Sequence, residues 1–199
     1  VGGELNASTD REMTVYWCKV AHQHFKLSLS VLIDMVINPL LDPEEMEKER
    51  QVILEELRMT NDYPTHQVDL LIDRILWPDQ AMGRDVGGTM ESVSNISNLE
   101  LRKMLLSQYA PDNVVIAIAG DIEHNQVVQT ISDMTNNWSS KTSNAWTPVD
   151  TTKNGTQIVV EYKDTEQAHM CLAMPSFPLG DPKSYPTSVM NTILGEGMS

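Results

Sequence analysis

A helix start is written into Asp42-Pro43-Glu44-Glu45, and the helical pattern it opens, running to about Thr60, constrains the fold more than any other stretch of this chain. Asp42 can accept hydrogen bonds from the first free amides, and proline suits the first helical position, where its missing N–H is not needed. Acidic residues in the first turn complement the helix dipole, and Glu45 stands at the capping-box spacing from Asp42.

Other elements are read off on either side. Gly2 to Thr9 and Glu12 to Val20 predict two strands joined through the polar turn Asp10-Arg11, because Thr14, Val15, Tyr16, Trp17 and Val20 are β-formers bounded by turn residues. Phe25 to Ile37 repeats apolar residues at helical spacing until Asn38-Pro39 stops it. After Tyr63-Pro64 a further helix runs through Leu70, Leu71 and Ile75 to Trp77-Pro78. A glycine-bearing loop follows, then a helix from an Asn98 cap to Tyr109, a buried-strand pattern over Val114 to Ala119, and a helix from about Glu123 to Met134. The Ser, Thr and Asn-rich stretch from Asn136 to Gly155 reads as a linker, with strands beyond it at Gln157 to Tyr162 and Ala168 to Ala173 and a helix opening near Asp181-Pro182. Strands that form a hairpin and also alternate with long helices define an α+β layered class. The domain division expected is 1–140, a linker over 141–155, and 156–199 as the opening of a second domain.

Charge and composition exclude several roles. A formal net charge of -14 repels nucleic acid phosphates and anionic lipid, and no apolar run is long enough to span a bilayer, so neither nucleic acid nor membrane is expected as a partner. The compartment is left open, a soluble cytoplasmic one being favoured. Cys18 and Cys171 form no short redox or zinc-thiolate spacing. The chain starts at Val1 in strand-like sequence and stops at Ser199 without a polar tail, so both ends read as cut.

Chemistry points to the helix after Asp42. At about 100° per residue, Glu49 and Glu56 lie seven apart and within about 20° of each other on one face. Met46, Ile53 and Leu57 flank that face on one side and Val52 and Met59 on the other, which sets two carboxylates inside an apolar arc. A buried carboxylate asks for a cation, a hydrogen-bond partner or a metal. The plainer alternative pairs Glu49 and Glu56 with Arg50 or Arg58 at the surface. His22 and His24 share one side of a strand but fall where the hairpin ends, and His169 and Cys171 read as packing residues.

Several segments then fall in register. Gly2-Gly3-Glu4-Leu5-Asn6-Ala7-Ser8-Thr9, Asn38-Pro39, Glu49-Arg50-x-Val52-Ile53-x-Glu55-Glu56, Leu76 to Gly88, Tyr109-x-Pro111-x-Asn113, Ala119-Gly120-Asp121 and Glu166-Gln167-Ala168-His169 together resemble the M16 zinc metallopeptidases, the group of pitrilysin, insulin-degrading enzymes and mitochondrial processing peptidases. The resemblance covers essentially the whole chain. It implies the α+β sheet-and-helix domain of the processing-peptidase type, followed by the start of a similar domain.

In that family an inverted H-x-x-E-H motif supplies two histidine ligands and the general base, and a distal glutamate completes the zinc site. The resemblance therefore makes Glu56 the metal ligand and Glu49 its supporting acid. It makes Asn6 and Ala7 part of an edge strand that takes a substrate peptide as an added strand. None of the five histidines belongs to an H-x-x-E-H, so the motif and its general base are expected upstream of Val1, and this chain alone should be inactive. The activity implied for the parent is zinc-dependent endopeptidase cleavage of unfolded peptides or presequences in a chamber of several such domains, from one chain or a dimer. The rival readings are a scaffold subunit that binds peptides without cutting them and a small-molecule hydrolase on a related fold.

Overall fold

The computed structural model describes residues 1–139, 146–151, 156–164 and 166–196. By contacts the chain divides into two units, Val1–Thr60 with Asp85–Pro148, and Asn61–Arg84 with Val149–Ser199.

The first unit begins with the antiparallel hairpin β1 (Glu4–Thr9) and β2 (Thr14–Lys19), in register from Glu4 opposite Lys19 to Thr9 opposite Thr14. The turn is closed by the Asp10 amide donating to the Met13 carbonyl at 2.8 Å. On β2 the side chains alternate, with Tyr16 and Cys18 half-buried and Val15 and Trp17 on the exposed face. Helix α1 (Phe25–Ile37) packs against β2 and against α6 (His124–Thr135), with Leu29 and Val127 buried. Tyr16 and Tyr109 join hydroxyl to hydroxyl at 2.8 Å, and the Trp138 indole N–H donates to the Tyr109 carbonyl at 3.2 Å.

Helix α2 (Pro43–Asn61) starts as its sequence predicts. The Asp42 carboxylate accepts from the amides of Glu44 and Glu45 at 2.9 and 3.1 Å, while the Glu45 carboxylate takes the Lys48 ammonium instead of closing a capping box. Ahead of it Leu41 has φ 48°, a left-handed conformation that costs a non-glycine residue roughly 1–2 kcal/mol. Two side chains of α5 (Asn98–Gln108) hold that loop: the Asn98 amide donates to the Leu41 carbonyl at 2.6 Å, and Arg102 Nη2 to the Leu40 carbonyl at 2.9 Å.

The cap of α5 is Ser97, not Asn98: Ser97 and Glu100 form a capping box, which frees Asn98 for its backbone contact. A short helix that the sequence reading passed over, α4 (Met90–Asn95), is started by a second capping box between Thr89 and Ser92. It shows no apolar period, so only its cap announces it.

The buried-strand pattern at 114–119 is not a strand. These residues form no ladder, Val115 is 93% exposed, and a cavity of about 470 Å³ lies between 117–122 and residues 16–20, floored by Phe25, Ser28, Leu29 and Leu32 of α1. An extended apolar segment becomes a strand only when a neighbour takes its N–H and C=O groups, and here the space beside it is open.

The second unit holds α3 (Pro64–Leu76), α7 (Ser184–Asn191) and a π-type turn, Thr192–Glu196. Leu70 and Gly83 are its buried residues among those described. After α3 the chain folds so tightly that a Cβ on Gly83 would meet the Trp77 carbonyl oxygen at 2.2 Å. The expected strands at 157–162 and 168–173 are likewise unpaired, with Ile158, Val160, Tyr162, Met170 and Leu172 exposed. Most of the expected linker, 140–145 and 152–155, lies outside the described residues.

Candidate metal centre

Helix α2 turns two different faces outward and inward. Leu54 and Leu57 are buried, Met46 and Ile53 half-buried, and Arg50 joins them on the inner side. Glu49 and Glu56 share one face as their spacing requires, but that face is exposed, as are Val52 and Met59 beyond it. The apolar arc thus overstated their burial: the inward stripe is centred on Leu57, and the two carboxylates sit at its solvent edge.

The ion pairs along α2 engage three of its six glutamates and leave Glu44, Glu49 and Glu56 without a side-chain partner among the described residues. Glu45 holds Lys48 at 2.6 Å, Glu47 holds Arg50 at 2.9 Å, and Glu55 holds Arg58 at 2.7 Å, each three residues apart. Glu47 also accepts from the Gln51 amide, and that bond, ahead of Arg50, keeps its carboxyl below the usual range. Both arginines that could have neutralised Glu49 or Glu56 are therefore engaged elsewhere. Among the described residues neither carboxylate has a hydrogen-bond or ion-pair partner.

Asn6 and Ala7 lie mid-strand in β1, exposed, opposite Trp17 and Tyr16. The Asn6 side-chain oxygen accepts from the Ala7 amide at 2.8 Å, and among the described residues β1 has β2 as its neighbour on one edge only. His22 and His24 form a 3₁₀ turn, with His22 Nδ1 3.5 Å from Asp121. His169 is exposed rather than packed, and Cys171 is half-buried, its thiol pushed up by burial and by the nearby Asp69 and Asp73 charges.

Zinc takes carboxylate, imidazole or thiolate donors and needs at least three from protein. No three such side chains converge among the described residues. What α2 does offer is a free carboxylate donor, of the right hardness and charge for zinc, with a second one two turns earlier on the same face.

Comparison with known proteins gives the family. Residues 1–90 match the family model described as Insulinase (Peptidase family M16), and residues 95–199 match that of the Peptidase M16 inactive domain. The chain belongs to peptidase family M16. It is 33% identical to a zinc protease of Streptomyces coelicolor and 31% identical to the zinc protease YmxG of Bacillus subtilis, in both cases over its whole length. It spans about half of those relatives, 45% and 48% of their lengths. Among solved structures, an M16-like peptidase from Alicyclobacillus acidocaldarius superposes with a TM-score of 0.63 at 26% identity, over 72% of this chain and 34% of that one. The α+β class follows from the same likeness. Among the described residues no helix is long and apolar enough to cross a membrane.

Proposed function

We propose that, at its relatives' full length, this protein is a zinc-dependent endopeptidase acting on unfolded peptides or presequences, with Glu56 as a metal ligand and Glu49 as its supporting acid. The observation that carries the reading is the pair of unpartnered carboxylates on α2, left free although Arg50 and Arg58 are close in sequence. The zinc would supply carbonyl polarisation and acidified water. Glu56 contributes one anionic oxygen donor, and Glu49 keeps the local field negative beside it. Among the described residues no three donors converge, so the reading requires further ligands and a general base beside Glu56.

Asn6 and Ala7 belong to the substrate side of the proposal. An extended peptide adds to the free edge of β1 through backbone hydrogen bonds, and the Asn6 amide stands where it can read one side chain of that strand. The division into 1–140, a linker over 141–155 and a second domain from 156, a soluble compartment, and a chamber built from several such domains or a dimer are parts of the same reading.

The match of residues 95–199 to an inactive-domain model favours a second reading, a subunit that binds peptides without cutting them. Cleavage of an unstructured peptide by the full-length protein, measured before chelation, after it and after zinc is restored, separates the two. Loss and recovery of cleavage supports the endopeptidase. Peptide binding with no cleavage in any condition supports the scaffold, and cleavage of small esters alone contradicts both.

A further inference from the structure

Arg50 is the one charged side chain of α2 that is mostly buried, 14% exposed against 57% or more for the other ion-paired residues of the helix. Its guanidinium is divided among three acceptors. Nη1 donates to the Val93 carbonyl, Nη2 to the Ile96 carbonyl at 2.8 Å, and Nε to Glu47 at 2.9 Å. Val93 lies in the last turn of α4 and Ile96 is its C-cap, so these are carbonyls that a helix end leaves without intrahelical partners. A rigid, planar fork that serves two carbonyls three residues apart fixes both the axial position and the rotation of the helix that carries it. A single point contact would fix neither.

That constraint falls on the face discussed above. Glu49 precedes Arg50, and Glu56 follows it by six residues on the same uninterrupted helix. With carboxylates about 6 Å from the helix axis, a rotation of about 10° carries them about 1 Å, enough to spoil a ligand position. The Asn98 and Arg102 contacts hold the loop before α2, Asn98 also reaching Met46 Sδ at 3.5 Å, and the buried Leu54 and Leu57 set the inner face, to which Arg50 adds a directional polar anchor.

We propose that Arg50 is a positioning residue for the carboxylate face of α2, setting where Glu49 and Glu56 are presented by anchoring the helix to the Val93 and Ile96 carbonyls. The inference rests on the reading of Glu56 as a zinc ligand, and its test separates the two.

In the full-length protein, zinc affinity by chelator competition, kcat with KM, and the melting temperature are compared for wild type, Arg50→Met, Arg50→Lys and Arg102→Met. Arg50→Met is expected to weaken zinc binding roughly 10- to 100-fold, as loss of a ligand-orienting contact does, and to lower kcat with KM nearly unchanged. Arg50→Lys keeps the charge beside Glu47 but can serve one carbonyl only, and should recover part of that loss. Arg102→Met should lower the melting temperature without moving zinc affinity. Wild-type zinc affinity in Arg50→Met, full recovery in Arg50→Lys, or an equal loss in Arg102→Met would each overturn the proposal.

A second measurement needs no metal. In the full-length protein with its native cysteines replaced by serine, spin labels at positions 56 and 95 report the distance from the carboxylate face to α4. A distribution broadened by Arg50→Met supports the anchor even if the full-length protein proves to bind no zinc. An unchanged distribution refutes it.

Discussion

The two faces of α2 obey one helical period and answer to different demands. On the inner face Leu54 and Leu57 are buried, and Arg50 spends its donors on Val93, Ile96 and Glu47, so each group finds its partner within the same unit. On the outer face Glu49 and Glu56 keep free carboxylates beside the exposed Val52 and Met59. Nearness in sequence does not decide pairing: Arg50 adjoins Glu49, and Arg58 lies two residues from Glu56, yet both pair with other acids. The three cations of α2, Lys48, Arg50 and Arg58, are all taken by the acids three residues before them, which leaves the carboxylates of Glu49 and Glu56 to solvent and open to a ligand.

The contrast can be broken by substitution, most severely on the outer face. Glu56→Gln in the full-length protein should lower peptide cleavage by roughly a hundredfold or more, the scale at which loss of even a ligand-supporting contact begins. Its melting temperature should hardly move, since an exposed side chain without partners adds little to stability. Cleavage that survives with a lowered melting temperature would make Glu56 a structural residue.

On the inner face the effect is on stability. Leu54→Ala should cost about 2–4 kcal/mol in urea unfolding, against less than about 1 kcal/mol for Val52→Ala. Equal costs would mean that the outer face is packed too. Asp42→Ala, which strips the cap that receives the Glu44 and Glu45 amides, should cost about 1 kcal/mol.

The smallest effect is expected away from α2 and at alkaline pH. Burial, then the hydrogen bond with Tyr16, raises the Tyr109 phenol from near 10 to about 12. A group whose folded pKa is raised stabilises fully below its unfolded pKa and loses that contribution as pH rises through the folded one. Stability should therefore fall between pH 10 and about 12, modestly because the ring is partly exposed, and Tyr109→Phe should remove that step. A slope unchanged in the variant would assign the loss to other groups.

Helices were legible in the sequence because their signals are local. Phe25–Ile37 and Pro64–Leu76 begin and end where periodicity and proline say, and Asp42 caps α2 as expected. Strands were legible only where chain neighbours could pair, as in β1 and β2. Residues 114–119, 157–162 and 168–173 carry the same β-forming residues, but pairing them requires a partner that the sequence pattern does not specify.

The site was half legible. The seven-residue spacing put Glu49 and Glu56 on one face, but hydrophobic neighbours on a wheel could not tell a buried arc from an exposed edge. The anchoring contacts of Arg50 could not be read at all, because its two carbonyl partners lie 43 and 46 residues away along the chain.

The most direct test of the account is zinc stoichiometry in the full-length protein for wild type, Glu56→Gln and Glu55→Gln. These adjacent glutamates differ in that one is free and the other is paired with Arg58. The account predicts one zinc per chain in wild type and in Glu55→Gln, with zinc lost or greatly weakened in Glu56→Gln. Full occupancy in Glu56→Gln, or none in the wild type, would contradict it.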